Sequence, residues 1–194
     1  PACRFGPMPF AWIQIALFVV VSAALLYVSR GALRRRGSHG FYRFFAWECM
    51  LALILLNLPV WHVDPLAPHQ LASWLLLALS AWLPVHAWRR LRAAVRPGAA
   101  RDDDPALLGF EKTSSLVTDG AFRYIRHPMY TALMLLAWGA CLKDIGGPGL
   151  ALALAATVLL VLTALSDERE CIAHFGDAYR AYMRGTRRFV PFLV

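Results

Sequence analysis

Arg123, Arg126 and His127 stand in the stretch RYIRHPMYT, residues 123–131, at the lip of an apolar run. Charge beside hydrocarbon is expensive, so the placement implies a use. Pro128 suits the first turn of a helix, where its missing amide hydrogen goes unneeded. A helix starting there aims its free amides and the positive end of its dipole at the preceding residues. With Arg126 and His127 they would hold a carboxylate or a phosphate. Juxtamembrane arginines also serve by snorkelling to lipid phosphates and setting orientation, and position alone leaves both readings open.

A second cluster, SDERE, sets Asp167, Glu168 and Glu170 directly after another apolar run. Acids at a helix C-terminus oppose the helix dipole. That cost points either to a cationic ligand or to ion pairs with Arg126 or Arg123. A ligand carrying both an ammonium and a carboxylate would use both clusters, a charge pattern shared by an amino acid and the methionine part of S-adenosylmethionine.

The elements that must position these groups are membrane helices. Of 194 residues, 59% are hydrophobic and 16% charged, a composition that excludes an ordinary soluble domain. The net charge of +8 comes from arginines between apolar runs, not from a basic face, which argues against nucleic acid. Cys3, Cys49, Cys141 and Cys171 show no metal-ligand or disulfide spacing, and no metal is expected. The first apolar run is too long for a signal-peptide core and reads as a retained span.

Five apolar runs, residues 10–29, 44–63, 71–88, 129–142 and 150–166, predict an all-α integral membrane protein of about five transmembrane helices. The fourth run is short, and the turn KDIGGPG makes the last two a tight hairpin. Every Lys and Arg except Arg4 and Lys143 falls after the first, third or fifth run. By the bias of basic residues these loops are cytoplasmic, the N-terminus is outside and the C-terminus inside. The chain divides into a three-helix part, 1–92, and a part, 93–194, made of a cytosolic connector, the hairpin 128–166 and a C-terminal cytosolic segment. In the connector, RPGAARDDDP reads as a loop, and Thr118 and Asp119 as turn formers. In the last segment, Ile172, Phe175, Tyr179 and Tyr182 form one helical stripe, either an interfacial helix or a lid over a site.

The segments LVTDGAFRYIRHPMY and DERECIAHFGDAYRAYMRGTRRFVP, in that order and separated by an apolar hairpin, resemble the isoprenylcysteine carboxyl methyltransferases and related phospholipid methyltransferases. The likeness covers roughly residues 116–191. It implies a membrane methyltransferase that takes S-adenosylmethionine, releasing S-adenosylhomocysteine, from the cytosol, with a lipid or other lipophilic substrate arriving from the bilayer of a bacterial inner membrane. By that match Arg126, His127, Pro128, Tyr130, Glu168, Phe175, Tyr179 and Tyr182 belong to the cofactor site, and Arg187 or Arg188, with Phe189 and Pro191, to an element folding back over it. Thr163, with Arg187 and Arg188, falls on the substrate side. Ser114 and Thr163 replace a histidine and an arginine found in many relatives, which leaves the acceptor open among carboxylate, phospholipid amine and thiol. An amine or thiol acceptor needs a base, for which Glu168 and Glu170 are the candidates, made more basic by desolvation. Two other classes are a nicotinamide-dependent sterol-type reductase and a non-catalytic membrane scaffold.

Overall fold

In a computed structural model, residues 8–94 and 116–191 are described. Cys3, Arg4, Ser114, Lys112 and the RPGAARDDDP stretch lie outside them. The described residues include six α-helices: α1 (Met8–Leu33), α2 (His39–Asn57), α3 (Pro68–Ala94), α4 (Pro128–Cys141), α5 (Gly147–Phe175) and α6 (Asp177–Gly185). The chain is an all-α membrane protein. Helices α1, α2, α3 and α5 are long and apolar enough to span a bilayer. α4 has 14 residues, about 21 Å at 1.5 Å per residue, and is shorter than a hydrocarbon core.

α1 turns much of its apolar surface outward, with Trp12 and Val20 exposed, and binds α2 through polar contacts: Ser22 Oγ donates to Glu48 Oε2 and Gln14 Nε2 to the Leu55 carbonyl. α2 begins where Ser38 caps it, its Oγ accepting from Phe41 N at 3.2 Å. Its buried stripe, His39, Arg43, Ala46, Met50, Leu53 and Asn57, repeats every three or four residues. That stripe faces α5, whose Ala153, Ala156, Leu160 and Ala164 are fully buried. The small side chains let the two helices approach closely. α5 therefore packs chiefly along α2, not along its hairpin neighbour α4. α4 lies against α3, where Ser73 Oγ donates to the Gly139 carbonyl at 2.6 Å. At the α4–α5 turn Lys143 is buried, its Nζ 3.0 Å from Gln70 Oε1 and 3.2 Å from the centre of the Trp74 ring.

Two expectations are corrected here. α5 does not end at residue 166 but runs to Phe175, so Asp167, Glu168 and Glu170 sit within the helix and bear no C-terminal dipole penalty. Within it Asp167 meets Tyr130 of α4, Glu168 meets Arg126, His127 and Arg188, and Glu170 meets His39 of α2. The stripe from Ile172 to Tyr182 is likewise not one helix. Gly176, at φ +57°, breaks it, a conformation glycine adopts without a Cβ penalty, and α6 starts in a new direction. Helix α4 does begin at Pro128.

After α6 the chain folds back as a strap. Ile125 and Arg187 form an isolated parallel bridge. Arg126 N donates to the Arg187 carbonyl at 2.7 Å and His127 N to the Arg188 carbonyl at 3.1 Å. Thr131 Oγ1 donates to the Phe189 carbonyl at 3.0 Å, and Phe189 is buried beside Tyr130.

Candidate active site

A cavity of about 460 Å³ opens beside the start of α4, within the range of small-molecule sites. Its polar end is built by Arg126, His127 and Tyr130 with Asp167, Tyr179 and Tyr182; its apolar end by Trp47 of α2, Pro84 of α3, and Ala132, Leu133 and Leu136 of α4. Pro128, Cys171 and Phe175 also line it. Of the expected cofactor residues, all but Glu168 stand in this wall.

Three acids spaced closely on a helix point three ways, because each residue advances about 100°. Asp167 faces the cavity, accepting from the Tyr130 hydroxyl at 3.2 Å and, weakly, from the Cys171 thiol at 3.6 Å. Its Oδ2 is 3.6 Å from His127 Nδ1. Glu168 faces the strap, its side chain 5% exposed. Its Oε1 accepts from Arg126 Nε at 2.9 Å and Arg188 Nε at 3.1 Å, its Oε2 from Arg188 Nη2 at 2.8 Å, and His127 Nε2 lies 3.3 Å from Oε1. Glu170 faces α2: His39 N donates to its Oε1 at 3.0 Å, and His39 Nδ1 lies 2.6 Å from its Oε2.

This geometry changes what the carboxylates can do. Glu168 is not an isolated, desolvated acid; both oxygens already accept from guanidinium groups. Glu170 anchors the start of α2 outside the cavity wall. Neither stands where a general base must. Asp167, which belonged to the same sequence cluster but was not singled out, is the acid that reaches the cavity. Its signal was the spacing 167, 171, 175, which puts Asp167, Cys171 and Phe175 on one helical face.

Arg126 also differs from the expected anion cradle. Besides Glu168 it donates to the carbonyls of Met183, at 3.2 Å, and Thr186. It lines the cavity while tying the strap to α5. Arg188 is held by Glu168, whose hydrogen bond raises the guanidinium's already high pKa. Arg187 is exposed, and its backbone makes the bridge. Thr163 is buried, with Oγ1 donating to the Leu159 carbonyl at 2.7 Å. None of Thr163, Arg187 and Arg188 lines the cavity, so the expected substrate-side trio is not assembled there.

The aromatic wall is neutral. Burial pushes the Tyr179 and Tyr182 phenols above their ordinary range. Tyr182 donates to the Phe122 carbonyl at 2.6 Å, and the rings of His127 and Tyr130 stack 5.3 Å apart. Ring faces, one carboxylate and the Arg43 and Arg126 side chains suit a ligand with both positive and negative centres and a planar heterocycle. S-adenosylmethionine is such a ligand, and the residues present fit it.

A family model described as phospholipid methyltransferase matches residues 69–176. A methanethiol S-methyltransferase of Pseudomonas deceptionensis is 28% identical over 81 residues, covering 39% of this chain and 30% of the relative. The match thus spans less than a third of that relative's length. No solved structure matches the chain.

Proposed function

The chain belongs to the phospholipid methyltransferase family, and from that premise we propose that it methylates a lipophilic acceptor with S-adenosylmethionine at the cytosolic face of a bacterial inner membrane. The observation that carries this reading is a cavity whose polar, acid-bearing end continues into an apolar slot between α2, α3 and α4. When bound, the cofactor supplies a methyl group already activated on a sulfonium centre. Asp167 would meet its ammonium, and Tyr179, Tyr182 and Phe175 would offer ring faces to its cationic and planar parts. Arg126, Glu168 and Arg188 hold the strap that closes the site. The apolar slot takes the acceptor's hydrocarbon and excludes water.

Because the leaving group is activated, the protein's main contribution is orientation, worth on the order of 7–11 kcal/mol in favourable cases. The basic residues around the cavity end of the helices support a cytosolic site, and with α4 crossing as a fifth, short span the N-terminus lies outside. The acceptor classes in view are the phospholipid of the family name and the thiol of the relative's name.

Calorimetric titration of the detergent-solubilised protein with S-adenosylhomocysteine tests the reading. The parent should bind saturably and Asp167→Asn at least tenfold more weakly. A folded parent that binds NADPH but not S-adenosylhomocysteine overturns it in favour of a reductase.

A further inference from the structure

α6 and the strap present two different faces. Inward, Tyr179 and Tyr182 line the cavity, and Arg126 holds the Met183 and Thr186 carbonyls. Outward, Arg180 and Arg184, one turn apart on α6, and Arg187 of the strap are all exposed. Arg123 adjoins them: it is exposed on the turn whose Phe122 carbonyl accepts from the Tyr182 hydroxyl at 2.6 Å, and Ile125 of the same segment bridges to Arg187. Asp177, 2.9 Å from Arg180, is the carboxylate paired with this patch among the described residues. Tyr124 and Val190, 50% and 43% exposed, stand in the same two segments. Arginines interleaved with exposed apolar side chains mark a surface that lies on a headgroup layer. The depth agrees. At about 1.5 Å per residue, about 20 residues of α5 cross a hydrocarbon core of about 30 Å, so a helix starting at Gly147 leaves it near Ser166. Glu168, just beyond, holds Arg188 of the strap at 2.8 Å, which puts the strap where hydrocarbon gives way to headgroups.

We propose that the outer face of α6 and the strap docks on anionic phospholipid headgroups, and that this contact holds the cover shut and tightens methyl-donor binding. The proposal rests on the methyltransferase reading above. α6 has nine residues, fewer than an isolated helix needs to persist in water, and Gly176, at φ +57°, joins it to α5 through a turn. Arg180 and Arg184 stand four residues apart, and like charges at that spacing oppose the helix. Lipid phosphates against both guanidinium groups remove the repulsion and add charge-assisted hydrogen bonds. The helical, closed arrangement presents Arg180, Arg184 and Arg187 as one surface, so the anionic layer favours that state over an open one. Tyr179 and Tyr182, on the other face of the same helix, are thereby kept in the cavity wall.

The test places the full chain in nanodiscs of phosphatidylcholine, alone or with about a third of phosphatidylglycerol, and titrates it with S-adenosylhomocysteine. The ammonium and carboxylate of that probe cancel, so the surface potential does not concentrate it. The parent should bind it at least threefold more tightly in the anionic discs. The double variant Arg180→Gln, Arg184→Gln should bind alike in both, at the parent's affinity in neutral discs, and Arg180→Glu, Arg184→Glu should prefer the neutral ones. Both positions are exposed, so the variants leave the packing intact. A parent whose affinities differ by less than threefold overturns the proposal, as does a double glutamine variant that keeps the parent's preference. Inorganic phosphate added to neutral discs should have no effect; if it tightens binding as phosphatidylglycerol does, the partner is a free anion and lipid docking is refuted. A parent that binds S-adenosylhomocysteine in neither membrane overturns the methyltransferase reading itself; one that binds it equally in both overturns only this proposal.

Discussion

Replacing Glu168 by alanine removes the acceptor for three guanidinium hydrogen bonds of 2.8–3.1 Å and leaves their donors behind. Each charge-assisted bond contributes about 1.5–3 kcal/mol, but the donors suffer unequally. Arg126, 8% exposed, keeps the Met183 and Thr186 carbonyls. Arg188, 27% exposed, can turn to water. The sum falls at about 3–5 kcal/mol, the usual cost of breaking a buried pair from one side. At about 2–4 °C per kcal/mol for a chain of this length, Glu168→Ala should melt about 6–20 °C below the parent. Glu168→Gln, which keeps one acceptor oxygen, should lose about half as much. Cys141 is a free, buried thiol, so a thiol-reactive fluorophore reports the transition in detergent. The reasoning is refuted if Glu168→Ala melts within about 2 °C of the parent while methyl transfer falls more than a hundredfold. That result would restore the general-base role.

Glu170→Ala should also destabilise, by about 1.5–3 kcal/mol from the lost His39 contacts, yet keep turnover per folded molecule within about threefold; a hundredfold loss of turnover in a stable variant would place Glu170 in the chemistry. Gly120 sits at φ +61°, and a Cβ there would meet His86 Nε2 at 2.9 Å. Gly120→Ala should therefore cost about 1–2 kcal/mol, and adding His86→Ala should recover only the part due to the clash; full recovery in the melting temperature would show that backbone strain contributes nothing. Burial pushes the Lys143 ammonium below its ordinary value of 10.5. The unfolded chain then binds the proton more readily between the lowered value and 10.5, so stability rises with pH across that window and levels off above it. Melting of the parent relative to Lys143→Met should show that rise, and a difference that shrinks with increasing pH would contradict it.

The start of α4 was legible because Pro128 marks a first turn whatever surrounds it, and the two motif segments pointed to one site because a short hairpin joins them. The directions of the three acids were hidden. Residues 167–175 are polar enough to resemble the end of a span, and the partners of their acids, among them His39, Arg126 and Arg188, are distant in the chain. Thr163 lies outside the cavity wall with its hydroxyl satisfied one turn back at Leu159, a local bond that gives no sign in composition. Arg43 was grouped with the topology arginines after α1. Ser38 caps α2 early enough to draw it inside the helix, and that start depends on Glu170, which lies 131 residues away.

The strap gives the site a schedule. Arg126 finds its carbonyl acceptor at Thr186, 60 residues later in the chain. At about 5–20 residues per second of synthesis, the lip of α4 waits about 3–12 seconds for the strap. Throughout that interval its guanidinium and the amides of Arg126 and His127 must find water or lipid headgroups. Methyl-donor binding should therefore appear only after residues 186–189 have left the ribosome, later than insertion of the long helices.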